Sequence, residues 1–256
     1  MSGFRVALES RLNGLYARSV YLPLSTLAQD FRALSRRVRG VSRGQATRLP
    51  VVAWHDVLPR RPVSVVEPQK RSGDVSLAEL AVLASAAAAV QSGAEVIEIG
   101  TFDGRTTLNF AANAPLQLQI FTLDLPPDAA PKFDLAAGER AYVDKPRPGR
   151  HFADPRPEFT AAAARITQLY GDSATFDWSA HDGRAGLVFV DGSHAYDYVI
   201  ADSDTAFRLV ADKGMVIWHD YGVWEGVTRA LEEIEASRHL GLLHVRGTSL
   251  VVWKRE

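Results

Sequence analysis

Five carboxylates recur at one kind of position in this sequence: Glu98, Asp124, Asp172, Asp191 and Asp220 each close or follow a short apolar run. Two histidines accompany the last two, His194 three residues after Asp191 and His219 directly before Asp220. Carboxylates and imidazoles are the materials of general acid–base work, of a divalent-metal site, or of a pocket for a polar ligand. A buried carboxylate is costly unless paired or ligated, so fivefold repetition calls for a ligand or a metal. The chain has no cysteine, which removes thiolate catalysis, a Cys-based metal site and a disulfide framework.

The elements that would position these groups alternate between two periods. Strands are expected at 96–99, 118–123, 165–169, 186–190 and 214–218, and helices at 77–90, 105–113, 159–164, 196–210 and 223–237. Ser76 with Glu79 three residues on reads as a capping box for the first helix. Alternating strands and helices predict a mostly parallel sheet with right-handed crossovers, and 242–246 with 249–253 add an antiparallel terminal hairpin at its edge. Ligands bind such sheets at the carboxyl ends of the strands, where the five acids fall.

The turn from Gly100 to Gly104 narrows the ligand. A dinucleotide fingerprint needs a middle glycine where this chain has Phe102, and a Walker loop needs four residues between its glycines and then Lys, where this chain has three and then Arg105. Glu98, just before the turn, repels a pyrophosphate and attracts an ammonium group. Asp124 follows Gly104 at the distance where doubly wound nucleoside sites place a carboxylate for the ribose hydroxyls. These features point to a nucleoside-like ligand with a cationic amine and no phosphate.

Four blocks then stand in order: Gly73-Asp74-Val75-Ser76, Glu98 through Thr107, Val190-Asp191-Gly192-Ser193-His194-Ala195-Tyr196, and Trp218-His219-Asp220-Tyr221-Gly222-Val223-Trp224. Over about residues 72–256 they resemble the class I S-adenosylmethionine-dependent methyltransferases, and most closely the small-molecule branch with the sugar and macrolide O-methyltransferases. The resemblance implies an α/β, Rossmann-like doubly wound fold with a mostly parallel seven-stranded sheet. It implies transfer of a methyl group from S-adenosylmethionine to a hydroxyl of a small molecule or glycan. Glu98 would face the methionine ammonium, Gly100, Thr101, Phe102 and Gly104 would form the turn around the cofactor, and Asp124 would hold the ribose. Asp172, with Ser173, would meet the adenine amino edge, unless it is only a turn or cap residue. Asp191 would reach the transferred methyl.

In the macrolide-type relatives, acids at the places of Asp191 and Asp220, and one just before the second, bind Mg²⁺. Here that neighbour is His219, whose imidazole suits Zn, Fe or Ni better than a hard cation. Two routes to a competent nucleophile stay open. A divalent metal on Asp191, His219 and Asp220 would lower the hydroxyl's pKa, or His194 or His219 would take its proton. His194 also has a purely structural alternative as a cap of the next helix. Trp218 is expected in the core, with Tyr221 and Trp224 as pocket walls.

The domain organisation expected is a basic amphipathic helical arm over 1–45, a linker over 46–73 with one short strand around 51–54, and the catalytic domain over 74–256, with 126–157 as a lid or substrate loop or a disordered insertion. Residues 1–50 hold nine Arg against Glu9 and Asp30, while the whole chain carries a net charge of -1. Helices at 3–20 and 24–39 would pack on the domain or on a second subunit, as in a homo-oligomer such as a dimer, or rest on an anionic membrane surface. No apolar run approaches the roughly 20 residues that span a bilayer, and no signal-like core is visible, so a cytoplasmic location is expected. The acidic remainder argues against a nucleic-acid substrate. Transfer to nitrogen, a nicotinamide dehydrogenase and a non-catalytic cofactor-binding or scaffold protein are the competing functions.

Overall fold

A computed structural model describes residues 48–67, 75–127, 129–143 and 147–256, all within one compact unit that begins at Thr47. The helices expected at 3–20 and 24–39 lie outside the described residues, as do Gly73 and Asp74 of the first block. Eight strands form a single sheet: β1 (Val51–Val52), β2 (Glu95–Ile99), β3 (Ile120–Asp124), β4 (Ile166–Tyr170), β5 (Ala185–Val190), β6 (Val210–Trp218), β7 (Leu243–Val245) and β8 (Val251–Lys254). Their order is β1-β7-β8-β6-β5-β2-β3-β4. Only the pairings of β8 with β6 and β7 are antiparallel. The chain builds outward from β2 through β3 to β4, then returns to β5 on the other side of β2, which creates a switch point between β2 and β5.

Two expectations change. The sheet has an eighth strand, because Val51 and Val52 of the expected linker pair in parallel with His244 and Val245. The terminal hairpin is not the edge: β8 is inserted between β6 and β7, and β1 lies outside β7. The short strand expected around 51–54 forms over Val51–Val52, and its pairing with β7 joins it to the domain sheet.

The described residues form seven helices: α1 (Trp54–Val57), α2 (Leu77–Ala88), α3 (Arg105–Asn113), α4 (Arg140–Val143), α5 (Pro157–Ala163), α6 (Tyr196–Leu209) and α7 (Glu225–Arg238). Strand alternation sorts the core into two layers. Val96, Leu187, Phe189 and Ile217 meet Leu80, Leu83, Leu108 and Phe159 of α2, α3 and α5 on one face. Ile97, Val188, Val190 and Val216 meet Val199, Leu209, Leu231 and Ile234 of α6 and α7 on the other. Central strands are thus apolar on both sides, as a parallel sheet covered by helices requires. The capping box of α2 forms as expected, Glu79 N–H donating to Ser76 Oγ at 3.3 Å and Ser76 N–H to Glu79 Oε2 at 2.8 Å.

The segment between β3 and β4 contains α4 and a 3₁₀ turn, Arg150–Ala153. Its described residues are fastened to the body: Lys132 N–H donates to Asp172 Oδ2 at 2.7 Å, and Gly149 N–H to the Phe102 carbonyl at 2.8 Å. Among the described residues no helix is long and apolar enough to cross a membrane.

Candidate active site

At the carboxyl ends of the parallel strands lies a cleft of about 1050 Å³, counting its open mouth. Gly100, Thr101, Phe102, Asp124, Asp172, Ser173, Asp191, His194, His219 and Asp220 all line it, whereas Glu98 and Gly104 do not. One wall is the turn after β2. Gly100 has φ +101°, and a Cβ there would lie 2.0 Å from the carbonyl oxygen of Asp191, so glycine alone lets this turn meet the end of β5. The contact is held by the Asp191 N–H, which donates to the Ile99 carbonyl at 2.8 Å.

Phe102, where a phosphate-binding loop would have glycine, is itself left-handed at φ +47°. Its N–H donates to Asp124 Oδ2 at 2.7 Å. A left-handed non-glycine residue costs about 1–2 kcal/mol, and a hydrogen bond to a carboxylate contributes about 1.5–3 kcal/mol, so the acid at the end of β3 holds the turn in place. One carboxylate oxygen of Asp124 is thereby committed to shaping the wall that the other residues of the turn form.

Glu98 departs from the role expected of it. Its even position in β2 directs it to the α3 face, where it is 1% exposed and accepts hydrogen bonds from the hydroxyls of Thr122, at 2.6 Å, and Thr107. Burial pushes its pKa up to about 8, the two threonine hydroxyls only partly opposing this. The carboxyl therefore sits behind the turn and braces it, rather than offering a charge to a ligand in the cleft. Gly104 is likewise a packing residue: at φ +88°, a Cβ would come 2.5 Å from the ring of Phe152 in the 3₁₀ turn.

Asp172 lines the far end of the same wall, with its oxygens already engaged. Tyr198 Oη donates to Oδ2 at 2.5 Å, and Ala174 N–H to Oδ1 at 2.9 Å, beside the Lys132 contact. It is an anchor for the covering segment as well as a lining group, with Ser173 next to it.

The opposite wall gathers the acids and imidazoles. His219 is 4% exposed; its Nδ1 lies 3.0 Å from Asp191 Oδ1 and 3.5 Å from Asp220 Oδ2, and its Nε2 lies 3.5 Å from Glu79 Oε2. His194 contacts Asp220 Oδ2 through Nε2 at 2.8 Å and Glu139 Oε1 through Nδ1 at 3.0 Å, and its ring stacks on Trp224 at 4.3 Å. Burial disfavours a charged His194, but Asp220 and Glu139 outweigh it and push the pKa up to about 9. The same balance, with Asp191 and Asp220 as the partners, holds His219 well above the ordinary histidine value. Burial raises Asp191, with His219 opposing it, whereas for Asp220 the two imidazoles overcome burial and hold the carboxyl below its usual range.

Asp191, His219 and Asp220 each offer a ligand atom within 4.8 Å of the others, which fits the donor set expected for a divalent cation. Two carboxylates and an imidazole suit a borderline cation better than Mg²⁺. In the structure the His219 ring lies between the two carboxylates, so a proton on Nδ1 already supplies positive charge at that place.

Some participants were not legible from sequence. Glu139 carries no motif; it stands in Ala-Ala-Gly-Glu-Arg within the proline-rich segment. Glu79 was legible as a cap but not as a partner of His219 and of Ser249, whose N–H it accepts at 2.7 Å. Tyr221, expected at a pocket wall, is 2% exposed and turned into the core, its hydroxyl meeting the Leu49 N–H at 3.2 Å and Glu232 at 3.0 Å. Trp224 reaches the site only by stacking beneath His194, and Trp218 is in the core as expected, donating to Ser203 Oγ at 3.0 Å.

Residues 97–221 match the family model described as a methyltransferase domain. The O-methyltransferase NovP is similar in structure, with a TM-score of 0.52 and 15% identity over 70% of this chain and 80% of that one. The calicheamicin methyltransferase CalS11 is similar at a TM-score of 0.51 and 14% identity, covering 78% of this chain and 89% of that one. No curated protein matches the chain in sequence.

Proposed function

We infer that this chain, which carries a methyltransferase domain over residues 97–221, moves the methyl group of S-adenosylmethionine to a hydroxyl of a small molecule or glycan. The observation that carries the reading is the two-walled cleft: a turn closed by Phe102 N–H on Asp124 faces the Asp191, His194, His219 and Asp220 cluster across one cavity. The first wall suits the nucleoside part of the donor, with Asp124 and the Gly100–Phe102 backbone as its contacts. NovP and CalS11, both methyltransferases by name and the first an O-methyltransferase, support the choice of oxygen.

A sulfonium needs little help to leave, so the chain's tasks are alignment and a competent nucleophile. Transfer breaks the acceptor O–H bond and the donor's C–S bond and forms one C–O bond; the electron pair stays on sulfur and the proton must be received. His194, charged between Glu139 and Asp220, is poorly suited to receive it near neutral pH. Asp191 is the better base: it lines the cleft, its side chain is 20% exposed, and burial raises its proton affinity. His219 holds that carboxylate in orientation. A divalent cation on Asp191, His219 and Asp220 would lower the pKa of an acceptor hydroxyl.

Incubation with methyl-labelled S-adenosylmethionine and a cell extract, followed by identification of the labelled product, tests the reading. An O-linked methyl on a small molecule or glycan is expected; a label on nitrogen only, or thermal stabilisation by NAD but not by S-adenosylmethionine, overturns it. Activity that survives EDTA and ignores added Mg²⁺ or Zn²⁺ would leave the cluster to work through protons alone. For residues 1–45 we propose an arm that packs on the domain or on a second copy of the chain, with membrane attachment as the rival; unchanged liposome flotation of a form lacking 1–45 removes the rival.

A further inference from the structure

The segment 129–143 brings one acid into the cleft, and its side chain does more than cover it. Glu139 is 2% exposed. Its Oε1 accepts the backbone N–H of His194 at 2.7 Å and faces the ring Nδ1 at 3.0 Å, while Oε2 accepts Ser193 Oγ at 3.1 Å and the Ala136 N–H at 2.8 Å. A single carboxylate thus holds both the backbone and the ring of His194, and ties them to the turn that leads into α4. The opposite ring nitrogen meets Asp220 at 2.8 Å, and Trp224 lies parallel to the ring with 16° between the planes. Tyr142, one helical turn beyond Glu139, stands with its ring 6.0 Å from His194 and 5.9 Å from Phe102, bridging the two walls.

We propose that Glu139 is a positioning residue for methyl transfer: it latches the covering segment onto His194, so that the imidazole is set against Asp220 only while that segment is down on the cleft. The inference rests on the methyltransferase reading for its catalytic consequence, but not for the latch itself. Other hydrogen bonds of 129–143, from Lys132 to Asp172 and from Lys132 and Phe133 to the Tyr198 hydroxyl, touch the far end of the donor wall, whereas Glu139 hydrogen-bonds His194 and Tyr142 packs its ring 6.0 Å from that imidazole. With Glu139 on Nδ1 and Asp220 on Nε2 the charged imidazole donates at both ends, and the Glu139 carboxylate sets which way the ring points and so how it meets Asp220. The loss of such a group is felt in the rate of the chemical step, not in binding of the donor.

Two readouts separate the latch from the activity. In the full chain, trypsin cleavage at Lys132 or Arg140 is expected to accelerate at least several-fold in both E139Q and H194N, and a downfield His194 Nδ1–H proton resonance is expected in the wild type and not in E139Q. Protection from trypsin equal to wild type in E139Q overturns the latch whether or not the chain is a methyltransferase. For the acceptor found with labelled donor, kcat is expected to fall about 10- to 100-fold in E139Q with S-adenosylhomocysteine affinity unchanged, and E139Q/H194N to be no slower than H194N. Additive losses in the double variant, or weaker S-adenosylhomocysteine binding with kcat intact, overturn the positioning role. If E139Q fails to fold, by circular dichroism, E139D, which keeps the charge and shortens the reach, takes its place with the same outcomes. Absence of any turnover and of S-adenosylhomocysteine binding in the wild type refutes the methyltransferase reading and leaves the trypsin result standing.

Discussion

Replacing Gly100 with alanine perturbs the junction on which both walls of the cleft depend. The new methyl would stand 2.0 Å from the Asp191 carbonyl oxygen, 2.5 Å from its carbon and 2.8 Å from the Gly192 Cα, all backbone atoms of the turn that ends β5. None can rotate away as a side-chain tip would, so either the turn after β2 or the end of β5 must move by about an ångström. Overpacking of this kind costs about 1–3 kcal/mol, and the φ of +101° adds roughly another 1 kcal/mol for a residue with a Cβ. The expected destabilisation is therefore about 2–4 kcal/mol, read as a lower urea midpoint at unchanged m-value. Because the same shift separates Phe102 and Asp124 from Asp191, S-adenosylhomocysteine affinity measured by calorimetry should fall by at least tenfold even where the variant is fully folded. A G100A variant with wild-type midpoint and wild-type affinity would refute the close approach and, with it, the account of how the donor wall is built.

Two further outcomes follow from the buried acids. Glu98 has a folded pKa of about 8 against 4.5 unfolded, so the stability it lends is complete below about pH 4.5 and is lost as pH rises through 8. E98Q, which keeps an amide for the threonine hydroxyls, should match the wild type near pH 5 and exceed it by a few kcal/mol near pH 9 in urea melts; parallel pH profiles would show that Glu98 does not carry the titration. D124N leaves the Phe102 N–H facing an uncharged partner, and a charge-assisted bond worth about 1.5–3 kcal/mol predicts roughly 10- to 150-fold weaker S-adenosylhomocysteine binding, against which unaltered calorimetric affinity would count.

Much of this architecture was legible because parallel strands covered on both faces leave an apolar run ending in a polar group, and the period of two then assigns each side chain to a face. The ends of β3, β5 and β6 put Asp124, Asp191 and Asp220 on the cleft for that reason. Glu98 shows the limit of reading position without face: it lies in the penultimate place of β2, and its parity with Val96 sends it under α3 to Thr107. The role of Glu139 and the sheet partner of β1 were illegible for a different reason. Their roles depend on partners 55 residues away for Glu139 with His194, and nearly the whole length of the domain for Val51 with His244, and no local pattern encodes such meetings.

The shortness of β1 bears on how copies of this chain can associate. Past β7 the sheet offers an outer strand of only two residues, Val51 and Val52, followed by the turn of α1. A strand that brief presents few backbone donors and acceptors to template another chain, so among the described residues this border is the poorer one for sheet extension. An assembly through continuous hydrogen-bonded strands would start more readily from the opposite border, at β4, where Tyr170 is 46% exposed.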